Sequence, residues 1–103
     1  MANLTSNGGS VLLKSRPDFG TGQIKDVKDL QVGVIYYRCH ASKSGGQDKT
    51  KIKILEIGKK KLKVLVLWDN PLALEISLSD HNLLPYRDGM WNPSNWIEKL
   101  EVE

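Results

Sequence analysis

Apolar and polar residues alternate most clearly over residues 50–68, which read T-K-I-K-I-L-E-I-G-K-K-K-L-K-V-L-V-L-W. Side chains of a strand point to opposite faces with a period of two, so this pattern predicts two strands joined near Gly58. Residues that lie opposite each other in a hairpin must also point to the same face. A register that places Ile54 opposite Val64 and Ile52 opposite Val66 meets this condition and gives the hairpin an aliphatic core face.

The same register predicts the other face of the hairpin. It would pair lysine stems with aliphatic partners, which lets each ammonium group stay in water. The predicted pairs are Lys51 with Leu67, Lys53 with Leu65, Leu55 with Lys63 and Ile57 with Lys61. We therefore expect a short loop centred on Lys59 and a central, two-faced hairpin.

Further runs of strand-forming residues flank this hairpin at residues 10–14, 23–27, 34–41 and 72–78. Residues 41–49, A-S-K-S-G-G-Q-D-K, contain no apolar anchor and predict a flexible polar connection. Asp69-Asn70-Pro71 is a turn signal, and residues 79–82 favour a single 3₁₀ turn. The C-terminal tail is ambiguous between a short helix that starts near Pro93 and a closing strand, and its spacing slightly favours the helix.

A chain of 103 residues, 40% of them hydrophobic and 26% charged, fits one folded domain. We predict a flexible N-terminus over residues 1–9 and a single small β-barrel domain over residues 10–103. The single cysteine excludes an internal disulfide and fits a reducing compartment. No apolar run has the length of a membrane span, and the first ten residues do not read as a signal peptide, so we expect a cytoplasmic protein.

The order of these elements resembles SH3-like barrels of the Tudor and KOW kind. The residues that carry the resemblance are D-L-Q-V-G-V-I-Y-Y, the hairpin, and L-E-I-S-L-S-D-H-N-L-L-P-Y, which together cover about residues 29–86. The phrase P-D-F-G-T-G-Q-I is similar to the start of Tudor-like domains in transcription and repair proteins. The resemblance implies a mainly β fold, a small antiparallel barrel or curled sheet, with a 3₁₀ turn after the fourth strand.

No enzymatic signature is found in the sequence. Cys39 and His40 are neighbours in a predicted strand, so they point to opposite faces and do not form a nucleophile–base pair. We expect Cys39 to be a small buried residue. Two histidines and one cysteine without ligand spacing predict no metal site, and no cofactor motif is present. The sequence therefore favours a non-enzymatic binding module.

Positive charge is concentrated in the middle of the chain. Residues 43–63 contain eight lysines against Asp48 and Glu56, whereas residues 64–103 contain two basic residues against seven acids. Such asymmetry indicates either a surface for an anionic partner, with nucleic acid (DNA or RNA) the leading one, or lysines that only keep an exposed strand edge soluble. Lysines contact phosphate without reading bases, so we expect low sequence specificity and strong salt dependence. The predicted nucleic-acid-binding residues are Arg38, Lys51, Lys53, Lys59, Lys60, Lys61 and Lys63.

Aromatic residues give a second candidate surface. In Tudor-like domains an aromatic cage binds methylated side chains by cation–π attraction, and single-stranded bases stack on similar rings. The candidate partner-binding residues are Tyr36, Trp68, Tyr86, Trp91 and Trp96. The alternative for Trp68 and Trp96 is ordinary core packing. The alternative function is a protein-interaction module, such as an adaptor or a small virus- or mobile-element-encoded inhibitor of a host protein, acting through the Trp-containing C-terminal segment.

Overall fold

The fold is described by a computed structural model over residues 16–42 and 45–100. Six strands in this part of the chain form one antiparallel sheet in the order β1-β6-β2-β3-β4-β5. The strands are β1 (Gln23–Ile24), β2 (Ile35–Ala41), β3 (Gln47–Ile57), β4 (Lys61–Val66), β5 (Leu72–Ser77) and β6 (Asn95–Lys99). The predicted flexible N-terminus and the predicted strand over residues 10–14 lie outside the described residues.

The predicted mainly β class is confirmed. The only helical elements in the described ranges are two 3₁₀ turns, Val27–Asp29 and Ser79–His81, and the second of these was predicted. The described strands do not close into a barrel, because β1 and β5 remain the two ends of the sheet. No helix within residues 16–42 and 45–100 has the length and apolar character needed to cross a membrane.

The central hairpin has the predicted register in the half that is distant from its turn. Ile52 pairs with Val66, Ile54 with Val64, and Lys53 with Leu65. The four aliphatic residues are buried, as expected for the core face. Their burial stabilises the fold, since each fully buried aliphatic side chain contributes about 1.5–3 kcal/mol.

The half of the hairpin next to its turn differs from the prediction. The register shifts between Ile54 and Glu56, so that Glu56 pairs with Lys63 and Ile57 with Leu62. Leu55 is the extra residue of a β-bulge, which changes the face to which every later side chain of the strand points. The predicted pairs Leu55–Lys63 and Ile57–Lys61 are therefore wrong.

The bulge solves a packing problem in β3. With uninterrupted alternation, Ile57 would share a face with the lysines. Instead it packs against the core beside Leu62, and Leu55 is left 37% exposed. The shift also brings Glu56 to the lysine side of the sheet, where it pairs with Lys63.

The expectation of a C-terminal helix is also wrong. Residues Asn95–Lys99 form β6, which lies between β1 and β2 and pairs with both. Trp96 and Ile97 are adjacent residues within this strand, so their side chains point to opposite faces of the sheet, yet both are fully buried. Ile97 belongs to the main core, whereas the Trp96 ring is covered by the ring of Phe19, with centroids 3.9 Å apart and an interplanar angle of 6°. Cover on both faces explains why two adjacent apolar residues here belong to a strand.

The predicted polar connection is shorter than residues 41–49. Ala41 pairs with Gln47, and β3 begins at Gln47. The backbone N–H of Ser42 donates to the carbonyl oxygen of Gly46 at 2.8 Å, which ties the two ends of the loop together. Residues 47–49 are thus part of the sheet rather than part of a flexible connection.

The core lies on one face of the sheet. The buried residues that form it are Ile24, Leu30, Tyr36, Ile52, Ile54, Leu62, Val64, Val66, Ile76, Leu78, Leu83 and Ile97. The residues that flank the second 3₁₀ turn contribute Leu78 before it and Leu83 after it to this face. The opposite face of β3 and β4 is left to the lysines.

Candidate nucleic-acid interface

Four lysines lie on the face of the sheet opposite the core, and we call them the lysine face: Lys51, Lys53, Lys61 and Lys63. Lys53 pairs with Leu65, which shares the outer side of β4 with Lys61 and Lys63. The backbone therefore places the four lysines on one side, because alternate residues of a strand point the same way. Lys59 and Lys60 extend this surface into the turn between β3 and β4.

Two glutamates reduce the charge of the lysine face. Lys61 Nζ lies 3.9 Å from Glu75 Oε1, and Lys63 Nζ lies 3.7 Å from Glu56 Oε1. All four side chains are exposed, and such exposed pairs contribute only about 0–1 kcal/mol each. Six lysines and two glutamates leave a net positive surface. The sequence did not reveal these pairs because one depends on the bulge and the other on the β4–β5 register.

Lys51, Lys53, Lys59 and Lys60 have no ion-pair partner among the residues that the structure describes. An open depression at the tip of the hairpin is lined by Lys59, Lys60, Lys61 and Lys63 together with Glu56, Gly58 and Glu75. Point charges of this kind attract phosphate groups without selecting a base. This surface can therefore hold a polyanion by charge alone.

Arg38 does not lie with these lysines. It pairs with Thr50 on one side and Ile97 on the other, and so points to the same face as the buried Ile97. Its Nε–H donates to His81 Nε2 at 2.8 Å. The sequence placed Arg38 beside the lysines because β2 and β3 are neighbours, but the register puts it on the opposite side of the sheet.

His81 is 2% exposed and supports Arg38 from the second 3₁₀ turn. Its Nδ1 lies 2.7 Å from the carbonyl oxygen of Ser77, so Nδ1 carries the proton and Nε2 accepts from Arg38. Burial lowers the pKa of His81 below its ordinary value of 6.5, the Ser77 carbonyl acts in the opposite direction, and the Arg38 charge lowers it further. The ring is neutral near pH 7, which suits its role as an acceptor.

Two of the candidate aromatic residues are buried. Tyr36 belongs to the core, and its hydroxyl accepts a hydrogen bond from the Gln31 backbone N–H at 3.0 Å. Trp96 is fully buried under Phe19, and its Nε1–H donates to Glu98 Oε2 at 2.8 Å. Neither ring has a face open to a ligand. For Trp96 the packing alternative holds.

The other three candidate aromatics differ in their surroundings. The guanidinium carbon of Arg16 lies 4.5 Å from the ring centroid of Trp91, so an internal cation already occupies that ring. Trp68 is 57% exposed and Tyr86 is 44% exposed. Among the described residues, the stacked aromatic pair is Phe19 with Trp96, and no two of Trp68, Tyr86 and Trp91 are in ring–ring contact. A cage of these rings is therefore not preformed.

A small polar cluster lies beside the Trp96 side chain, on the face of the sheet opposite the core. Lys49 Nζ lies 3.0 Å from Glu98 Oε1 and 5.4 Å from the ring centroid of Tyr37. Burial raises the pKa of Glu98, but hydrogen bonds from Trp96 and Lys49 outweigh it and hold the pKa below its ordinary value. The cluster keeps Glu98 ionised and anchors β6 to its neighbours. Its lysine is thus engaged within the protein.

The chemistry of Cys39 does not favour a nucleophile. The thiol is fully buried opposite Trp96, and burial raises its pKa to about 12. A thiol of this kind stays protonated at neutral pH, whereas nucleophilic cysteines are thiolates. In the part of the chain described here, no three His, Cys, Asp or Glu side chains are grouped to hold a metal ion.

Leu84 and Pro85 were not singled out from the sequence as site residues. The structure places them with Tyr86 beside Lys60 and Lys61, in a groove that runs along the hairpin tip. Their signal in the sequence was the run L-L-P-Y after the 3₁₀ turn, but the position of that run against the hairpin tip is a tertiary contact.

Comparisons of the chain with protein-family models, with curated proteins and with solved structures found no match. Geometry and charge are therefore the basis for a functional proposal.

Proposed function

We propose that this protein is a non-enzymatic module that binds nucleic acid with low sequence specificity through the lysine face and the hairpin tip. The observation that carries the proposal is the placement of Lys51, Lys53, Lys61 and Lys63 on one side of a two-stranded platform, with Lys59 and Lys60 at its end. Most of the affinity of such surfaces comes from release of counterions from the phosphate backbone. Binding should therefore weaken steeply as salt rises.

We further propose that this curled sheet is an open form of the SH3-like barrel. Two features support this finer assignment. The second 3₁₀ turn follows the fourth strand of the β2–β5 succession, which is where the resemblance implies it. In addition, the chain after that turn returns to the hairpin tip, where Leu84, Pro85 and Tyr86 lie beside Lys60 and Lys61.

The test measures binding of labelled 20-nucleotide single strands and 20-base-pair duplexes by fluorescence anisotropy between 50 and 300 mM salt. The variant is Lys51→Glu/Lys53→Glu, because neither lysine has an ion-pair partner among the described residues. The slope of log K against log salt is negative for wild-type binding. If both lysines contact phosphate, the variant's slope should be shallower by about 1.4 for single strands and about 1.8 for duplexes.

The matched control is Lys25→Glu/Lys28→Glu, which makes the same change in net charge. These lysines lie near Asp18 and Asp26, away from the hairpin, and they are exposed. We expect the control to keep the wild-type salt slope. Absence of binding at 50 mM salt, or equal losses for the two double variants, would overturn the proposal.

A protein partner is the second candidate function. It is supported by Trp68 and Leu72, which are 57% and 49% exposed at the two ends of the turn between β4 and β5. Exposed large apolar residues of this kind often mark interaction sites. The C-terminal segment offers less, because Trp96 is buried and Trp91 lies under Arg16. Capture of a partner protein that Trp68→Ala abolishes and Trp91→Ala leaves intact would favour this function over the first.

A further inference from the structure

A groove runs between the tip of the central hairpin and the chain that follows the second 3₁₀ turn. We call it the tyrosine groove, and its lining residues are Lys60, Lys61, Ser77, Ser79, Leu84, Pro85 and Tyr86. On the hairpin side, the hydrogen bond from the Leu78 backbone N–H to the carbonyl oxygen of Lys60 extends the β4–β5 pairing by one residue pair beyond Lys61 and Ser77. The groove is thus part of the folded structure, and it joins the end of the lysine surface to an aromatic ring.

Tyr86 is held in place at the start of a tight turn. Its backbone N–H donates to the carbonyl oxygen of Met90 at 3.1 Å, and the Met90 N–H donates to the carbonyl oxygen of Arg87 at 2.6 Å. Asp88 and Gly89 both adopt positive φ, 43° and 77°, which closes the turn. An exposed ring on a fixed backbone loses little conformational freedom when a ligand stacks on it.

The chemistry of the lining selects a ligand with both a flat ring and negative charge. Leu84, Pro85 and Tyr86 supply an apolar surface, and Lys60 and Lys61 supply positive charge beside it. Among the residues that the structure describes, no acidic side chain lines the groove, so a methylated lysine or another cation is repelled rather than bound. A neutral peptide would use the ring but leave Lys60 without an ion-pair partner among the described residues.

Two hydroxyl groups complete the wall of the groove. Ser77 Oγ and Ser79 Oγ lie 2.8 Å apart and form a hydrogen bond with each other. That bond uses one of their two hydroxyl hydrogens, and the other hydrogen and the remaining lone pairs are left for a ligand. A hydroxyl both donates and accepts, so this pair suits the polar edge of any base and does not select one.

We propose that the tyrosine groove binds one unpaired nucleobase of a single strand, stacked on Tyr86, with the adjoining phosphates held by Lys60 and Lys61. This inference rests on the proposed nucleic-acid function and specifies its ligand as single-stranded. A base within a duplex has both faces covered by its neighbours, so it cannot stack on a protein ring without leaving the helix. Base–aromatic stacking is tolerant of sequence, in agreement with the scarcity of groups that read base edges.

The first test uses the wild-type protein and three probes of equal length: dT12, rU12 and a 12-unit abasic DNA strand that keeps the phosphates but lacks bases. A 12-base-pair duplex is the fourth probe. Loss of one stacked base corresponds to roughly 5- to 150-fold in affinity. We expect dT12, rU12 or both to bind at least 5-fold more tightly than the abasic strand at equal salt. Equal affinity for the single strands and the abasic strand overturns the groove proposal.

The second test compares Tyr86→Ala with Tyr86→Phe, which keeps the ring and removes only the hydroxyl. Tyr86→Ala should lower the affinity for dT12 to that for the abasic strand and leave the salt slope unchanged. Tyr86→Phe should bind as the wild type does, and Lys60→Glu should lower the slope by about 0.7. Wild-type affinity for dT12 in Tyr86→Ala contradicts the inference.

The two proposals fail in distinguishable ways. If the lysine-dependent, salt-sensitive binding is present but is equal for duplex, single strand and abasic strand, the nucleic-acid function stands and the tyrosine groove does not hold a base. If no probe binds at 50 mM salt, both proposals fail. Because Tyr86 is 44% exposed and lies outside the core, thermal melting should show that Tyr86→Ala folds, and the abasic comparison needs no variant.

Discussion

The bulge in β3 makes Leu55 and Ile57 a matched pair for mutation. Uninterrupted alternation would place both side chains on the same face of the strand. The register shift instead leaves Leu55 exposed and packs Ile57 against the core opposite Leu62. Threonine is β-branched, as isoleucine is, and it favours strands, so neither substitution lowers strand propensity while each removes apolar surface. We therefore compare Leu55→Thr with Ile57→Thr.

The magnitude follows from burial. Full burial of an isoleucine contributes about 1.5–3 kcal/mol, and Ile57 is only half-buried, so Ile57→Thr should lower the free energy of unfolding by about 1 kcal/mol. In a domain of this size, that loss lowers Tm by roughly 4–8 °C. Leu55→Thr should change the free energy of unfolding by no more than about 0.5 kcal/mol, as surface substitutions usually do.

The assay is urea and thermal unfolding of both variants and the wild type, followed by far-UV circular dichroism. An unchanged dependence on urea concentration would show that the difference lies in stability and not in the compactness of either state. Equal losses for the two variants, or a larger loss for Leu55→Thr, would refute the bulge and restore the uninterrupted register.

Two further predictions concern buried groups. Because burial holds the pKa of His81 below 6.5, the unfolded chain gains a proton there before the folded protein does. The stability that His81 contributes should therefore be full above pH 6.5 and fall as the pH drops below it. His81→Gln should reduce the change in Tm between pH 7.5 and 5.5. An identical pH response of Tm in wild type and variant would contradict this. Cys39, with its pKa raised to about 12, should not react with a disulfide reagent at pH 8 in native buffer and should react fully in 6 M guanidinium chloride. Prompt labelling of the native protein would show that the thiol is accessible.

The hairpin shows what the sequence determines. The register of Ile52 with Val66 and Ile54 with Val64 was predictable because both strands alternate over that length. The bulge was not predicted, although the run Ile54-Leu55-Glu56-Ile57 breaks the alternation and is a local signal for it. A register deduced from one half of a hairpin does not extend past such a break.

The C-terminal strand shows what depends on tertiary structure. Trp96 and Ile97 can be buried together in a strand only because the Phe19 ring covers the face that the main core does not. That cover comes from a residue 77 positions earlier in the chain, and no local pattern predicts it. The lysines of the candidate site were predicted from their spacing. The position of Arg38 on the other face and the contact of Leu84, Pro85 and Tyr86 with the hairpin tip required the structure.

The place of β6 in the sheet has a kinetic consequence. Strands β2 to β5 are joined to one another by short connections, so their pairing can form from contacts that are near in sequence. β6 must then insert between β1 and β2 and bring together residues far apart in the chain, which is a slow step for sheets. Until it does, the edge of β2 has unpaired backbone groups and the Cys39 thiol lacks the Trp96 cover. Self-association during refolding should therefore begin at β2, and it should depend on protein concentration only before β6 has docked.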